Sequence, residues 1–186
     1  RVFTYYILGT LFVWITLSAF IHEIVRFKLF GFSIIGPSFY DSEIIIPVVL
    51  LAYIFQGVYL NFMPGIYFEK KTHYILLFTF SGALVNIGLN FVLIPRFGIM
   101  GSAVATLAGY VTMALITFPV TQKLFKVPYE WSQIFKIVLS SIIAIYTIIH
   151  FGNSLSYKFL SVFIFLILVL FMNFPLVKTK VKYLFK

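Results

Sequence analysis

The residues able to do chemistry are few and scattered. The acids are Glu23, Asp41, Glu43, Glu69 and Glu130, and the histidines are His22, His73 and His150. Acid–base catalysis needs two such groups aimed at one reacting atom. Among the acids only Asp41 and Glu43 stand close together, two apart on a loop, a spacing that suits helix capping or a surface role. No HExxH, GxSxG, Walker A loop or DxD-type pair is present. Cysteine is absent, which removes thiolate catalysis, disulfides and Cys-based zinc sites. No enzyme active site, metal site or cofactor is therefore expected. What remains is recognition by polar groups in an apolar setting. Glu23 and Arg26 are three apart and can meet on one helix face, as an interfacial ion pair or as the mouth of a cavity. Gln56 and Asn61 lie within an apolar span and need a partner, another helix or a wet cavity. Asn86 and Asn90, four apart, share a face.

The setting for these groups is a membrane. Of 186 residues, 62% are hydrophobic and 10% charged, where a soluble domain is about half apolar and a quarter charged. Mean hydropathy is +1.07. A net charge of +9 would suggest nucleic acid in a soluble protein. Here the basic residues sit between apolar runs, so they set topology and meet anionic headgroups. No nucleic-acid partner is expected. The first apolar run is too long for a signal peptide and lacks a small-residue cleavage site. The chain opens Arg1-Val2 and enters a span almost at once, which leads to the expectation of a segment from a longer protein.

Six helices are predicted, at about 3–25, 43–68, 74–94, 99–121, 131–151 and 157–177, most of them near the ~20 residues that cross a bilayer's hydrocarbon core. The stretch 30–42 reads as a hydrophobic loop at the membrane surface. Pro47 falls in the first turn of the second helix, where its missing N–H is harmless, and Pro64 should kink or end that helix. The sixth helix is nearly all Phe, Leu, Ile and Val, as a lipid-facing helix would be. Arg1, Lys70, Lys71, Lys123, Lys126, Lys136, Lys178, Lys180, Lys182 and Lys186 fall on one side of such a bundle; Arg26, Lys28, Arg96 and Lys158 fall on the other. The positive-inside rule places the first group, and with it both ends of the chain, in the cytoplasm.

The most informative stretch is 72–122. Two apolar runs flank a tight break at Pro95-Arg96-Phe97-Gly98. This predicts a transmembrane hairpin broken at the proline. Its second helix carries Gly101, Ala105 and Gly109, a small-xxx-small stripe that lets helix backbones approach closely where lipid gives no hydrophobic drive.

Within that hairpin, Asn86-Ile87-Gly88-Leu89-Asn90-Phe91-Val92-Leu93-Ile94-Pro95 and Phe97-Gly98-Ile99-Met100-Gly101-Ser102-Ala103-Val104-Ala105-Thr106 resemble the N-xx-LN-xx-LIP-xx-G-xx-GaAxAT signature of polysaccharide (O-antigen-type) flippases. That family belongs to the multidrug/oligosaccharidyl-lipid/polysaccharide exporter superfamily. Ser102 replaces the commoner alanine. The flanks also fit, with Phe30-Gly31 before a loop, then Pro47, then the Glu69-Lys70-Lys71 turn, but only 86–106 is specific.

The resemblance implies an all-α polytopic protein whose six spans correspond to helices nine to fourteen of a fourteen-helix exporter. Residues 1–126 would be part of the C-terminal lobe. Residues 127–186 would be two peripheral helices and a basic cytoplasmic tail. The partners implied are a lipid-linked oligosaccharide of the polyprenyl pyrophosphate type, membrane lipids and the missing N-terminal lobe. The function implied is translocation of that substrate across the cytoplasmic membrane by alternating access, a drug or cation antiporter and a membrane enzyme or assembly subunit being the alternatives. Glu23, Arg26, Gln56 and Asn61 are the candidate cavity residues. Asn86, Asn90, Pro95, Gly98, Gly101, Ala105 and Gly109 form the structural motif, with Lys70 and Lys71 at the cytoplasmic mouth.

Overall fold

The computed structural model of the chain describes residues 1–29, 32–33, 35–151 and 154–184. In order, the elements are α1 (Val2–Val25), β1 (Lys28–Leu29) paired antiparallel with β2 (Phe32–Ser33), a 3-10 helix over Pro37–Ile44, α2 (Ile46–Phe62), α3 (Pro64–Phe68), α4 (His73–Leu124), α5 (Trp131–Phe151) and α6 (Leu155–Leu184). The small ladder and the 3-10 helix replace the irregular loop expected over 30–42. The turn expected at Gly152-Asn153, like Phe30-Gly31, lies outside the described residues.

This is an all-α polytopic membrane protein. Four helices are long and apolar enough to cross a bilayer: Val2–Val25, Ser42–Phe68, His73–Leu124 and Trp131–His150. The apolar part of α6, Leu155–Phe171, is shorter. Length and composition therefore give four spans among the described residues, where six were expected. Much of the difference lies in α4, which takes up both helices expected at 74–94 and 99–121. Many large apolar side chains stand on the surface: Leu76, Phe91, Ile99, Ile149 and Phe171 are 70–82% exposed. In water such a surface would drive association; in lipid it is the ordinary outer face. Many hydroxyls within the spans are bonded to their own helix, as Thr16 to Phe12 O at 2.8 Å and Thr117 to Met113 O at 2.7 Å, which spares hydrocarbon those unpaired donors; the buried Ser18 hydroxyl has no such partner.

The chain divides into two compact units, Arg1–Phe20 with Tyr129–Lys186, and Ile21–Pro128. In the first, α5 packs on α6, and the Thr147 hydroxyl lies 2.8 Å from that of Ser161. Phe12 stacks on Phe165 with centroids 6.4 Å apart, and Phe20 meets Phe159 at 5.0 Å. Glu130 accepts a 2.8 Å bond from the Thr4 hydroxyl and lies 3.5 Å from Arg1 Nε. Tyr129 sits edge-on to Phe3, and burial pushes its phenol pKa up.

The second unit packs α2 and α3 against α4 around Tyr59, Met63, Ile66, Phe78, Met113 and Ala114. Pro47 lies in the first turn of α2. Pro64 cannot donate a backbone bond, and the helix stops at Phe62 and restarts at Pro64. The chain then leaves α3 through a Schellman turn: Lys71 N–H reaches Ile66 O at 3.0 Å, and Lys70 N–H reaches Tyr67 O at 3.1 Å. The left-handed position of that turn is held by Lys70, with φ 54°. A side chain there costs about 1 kcal/mol relative to glycine. Lys70→Gly should therefore stabilise the protein by about that amount in reversible detergent unfolding; a destabilised variant would show that the lysine makes contacts worth more than the strain.

α4 does not run straight. It is interrupted at Gly98, whose φ 55° and ψ −132° are non-helical. Gly82 and Gly109 touch across the two halves; in a straight helix their 27-residue separation would be about 40 Å. The two arms are antiparallel, as expected. The reversal falls at Gly98, the last residue of the break expected over 95–98, and not at the proline itself, because only glycine takes up those backbone angles readily. Pro95 lies within the helical element, three residues before the turn.

Candidate functional site

The arms of α4 approach most closely where side chains vanish. A Cβ on Gly101 would stand 2.6 Å from the carbonyl carbon of Leu93 and 3.0 Å from the nitrogen of Ile94. A Cβ on Gly109 would stand 3.0 Å from Gly82 O and 3.2 Å from the Cβ of Asn86. Ala105, between them, is fully buried. The expected stripe thus lies buried in the second arm, and its main counterpart on the first arm is Gly82, which sequence reasoning did not single out. Gly88 has nothing within 4 Å of its Cβ position and takes no part.

A polar ladder runs beside these contacts. Asn90 Nδ2 donates to Asn86 Oδ1 at 3.1 Å, and Asn86 Nδ2 donates to the Thr106 hydroxyl at 3.3 Å. The Thr106 hydroxyl donates to Ser102 O at 3.0 Å. The four-residue spacing of Asn86 and Asn90 makes the first bond, and the antiparallel register makes the second. Asn90 Oδ1, at the end of the ladder, is buried without a hydrogen-bond partner.

Alongside the ladder a groove of about 430 Å³ opens between the arms, lined by Thr79, Gly82, Ala83, Asn86, Thr106, Gly109, Tyr110 and Met113. Met113 joins its floor to the hydrophobic core. Tyr53 of α2 packs against Tyr110 with ring centroids 6.2 Å apart. The polar groups lining the groove are an amide, two hydroxyls and a phenol, all uncharged.

The four residues expected to line a cavity lie elsewhere. Glu23 is exposed near the end of α1. Arg26 lies with Nη2 3.8 Å from Glu43 Oε1 and stacks over Tyr40 at 5.4 Å. His22 Nδ1 reaches both Glu43 oxygens, at 3.3 and 3.2 Å. Glu43 is thus the hub of a small cluster tying the end of α1 to the start of α2. It was legible from sequence only as a helix-start acid, because its partners are 17 and 21 residues away. Gln56 is half-buried on α2. Asn61 spends its amide on its own helix, Nδ2 to Gly57 O at 2.8 Å. None of the four lines the groove.

These bonds separate two substitutions. Asn86→Ala removes both amide bonds and strands Asn90, and should cost about 1–2 kcal/mol. Asn61→Ala removes only a bond to a helical carbonyl and should be neutral within about 0.5 kcal/mol. Unfolding of both variants in mixed micelles measures the difference, and equal losses would contradict the ladder.

Comparison of the chain with protein-family models, with curated proteins and with solved structures finds no match.

Proposed function

We propose that the protein is a membrane transporter that moves a lipid-linked oligosaccharide of the polyprenyl pyrophosphate type from the cytoplasmic to the outer leaflet by alternating access. One observation carries the reading. The stretch 86–106, where the resemblance to polysaccharide flippases lies, also holds the tight approach of Gly101 to the Leu93 backbone and the polar ladder of Asn90, Asn86 and Thr106. A tightly packed hairpin can rock as one rigid body, and a mid-span polar groove lies at the depth where transporters hold their substrates.

The physical task is to carry a polar head through hydrocarbon, where an uncompensated charge costs several kcal/mol or more. Polar walls lower that cost while the polyprenyl tail stays in lipid. Energy input on this reading comes from an ion gradient or the substrate gradient. The reading places the protein in the cytoplasmic membrane with six spans, counting the two arms of α4 separately, and with both ends of this segment in the cytoplasm. Cysteine absence makes that testable by single-cysteine labelling: Lys70→Cys should label from the cytoplasm and Arg96→Cys from outside. Labelling of both from one side contradicts the topology.

The function itself is tested in a strain whose own flippase is deleted and whose glycan is matched. Expression of the protein should restore surface polysaccharide. Persistent loss, with the protein present in the membrane, counts against the proposal.

A further inference from the structure

We infer that the groove between the arms of α4 is a subsite for an uncharged sugar ring. The identity of the molecule bearing that sugar rests on the transport reading above; the preference for sugar rests on the groove itself.

Depth comes first. Asn86 stands 14 residues after Thr72 and 12 before Gly98, so about 21 and 18 Å from the two ends of its arm. That is mid-span, where polar side chains are most costly to leave against lipid. Thr79, Asn86, Thr106 and Tyr110 nevertheless open into a groove there.

The spare hydrogen-bonding capacity then selects the ligand. Asn86 uses one lone pair of Oδ1 on Asn90 and one N–H on Thr106, leaving one N–H and one lone pair. Thr106 donates to Ser102 O and accepts from Asn86, leaving one lone pair. Thr79 donates to Ile75 O at 2.8 Å and keeps its lone pairs. The groove thus offers donors and acceptors together. A phosphate, which only accepts, would use few of them and would find no cation on these walls. A sugar hydroxyl both donates and accepts, and uses all of them. The rings of Tyr110 and Tyr53 supply an aromatic face for the apolar side of a sugar. At about 430 Å³ the groove lies in the range of small-ligand sites. A third helix fits poorly, because Gly82 and Gly109 are already spent on each other and the open walls are polar and aromatic side chains.

The test uses methyl-labelled methionine. The chain has four methionines, Met63, Met100, Met113 and Met172, and Met113 lines the groove. The whole protein in phosphatidylcholine nanodiscs is titrated with maltose, lactose and chitobiose, and separately with sodium pyrophosphate. The Met113 methyl signal should shift saturably with at least one disaccharide, at about 1–10 mM as expected of a weak subsite, while Met100 stays unmoved. Pyrophosphate should leave it unchanged. Asn86→Leu and, where that variant unfolds, Thr79→Val should weaken binding at least tenfold; Thr79→Val keeps the fold because Thr79 bonds only its own helix. No Met113 shift with any of the three sugars overturns the inference, as does an equal shift with pyrophosphate or one unaffected by Thr79→Val. A Met113 shift that follows protein concentration without sugar assigns the groove to another helix and also overturns it. Restored polysaccharide without sugar binding removes this inference alone; sugar binding without restoration removes the transport reading alone.

Discussion

Gly101→Ala should force the two arms of α4 apart. The added methyl would overlap the Leu93 carbonyl carbon at 2.6 Å and crowd Ile94 N at 3.0 Å. Both are backbone atoms, so no side chain can turn aside to make room. The collision lies three residues past the turn, where the arms have no length over which to splay gradually. Overpacking in a tight core costs about 1–3 kcal/mol, and a backbone collision belongs at the upper end, about 3 kcal/mol. That is a roughly 150-fold fall in the folded-to-unfolded ratio. Gly88→Ala is the internal control. Its Cβ position is open, and alanine favours helix, so the variant should be unchanged or up to about 1 kcal/mol more stable. Reversible unfolding in mixed micelles compares the two. Similar losses at 101 and 88 would mean that glycine flexibility matters here, and close approach does not.

Gly98→Ala should cost nearly as much for a different reason. Nothing lies within 4 Å of the Cβ position at Gly98, so sterics against neighbours play no part. The penalty is in the backbone. A φ of 55° with ψ −132° matches the first central position of a type II′ turn, which glycine dominates. An L-residue held there costs about 1–3 kcal/mol. The mirror residue turns this into a test of sign. D-alanine at position 98, introduced by semisynthesis, finds those angles open and restricts the unfolded chain, so it should stabilise by about 0.4–1 kcal/mol. L- and D-alanine variants that unfold alike would show that the reversal is made elsewhere, Pro95 being the obvious alternative.

These two glycines also mark how far the sequence could be read. The apolar runs and the four-residue spacing of Gly101, Ala105 and Gly109 are local, and they pointed to a tight hairpin before any coordinates. Proline is the more conspicuous breaker, so the sequence bounds the break to 95–98 and points to Pro95 within it. Pro95 remains inside the helical element, and the chain reverses where φ must be positive. The register between the arms was not legible. Gly82 faces Gly109, and Asn86 faces Thr106, only once Gly98 fixes the turn. The groove depends on that register, so Thr79 and Tyr110 carried no signal of their own. The Glu43 cluster was hidden likewise, since Arg26 has a nearer acid in Glu23 along the sequence. The grouping of residues 1–20 with 129–186 rests on contacts such as Phe12 on Phe165, between runs too uniformly apolar to name their partners.

The account depends on α4 folding back on itself within a bilayer. Phe80 and Leu115 are both exposed, one on each arm, opposite each other in the register set by Gly82 and Met113. Phe80→Cys and Leu115→Cys in this cysteine-free chain accept nitroxide labels, and pulsed electron–electron resonance in nanodiscs reads their separation. Packed antiparallel arms, with axes about 8–10 Å apart, predict a narrow distribution near ~20 Å once label length is included. A distribution centred near ~50 Å, the length of the intervening helix if α4 ran straight, would contradict the hairpin, the groove and the function built on them.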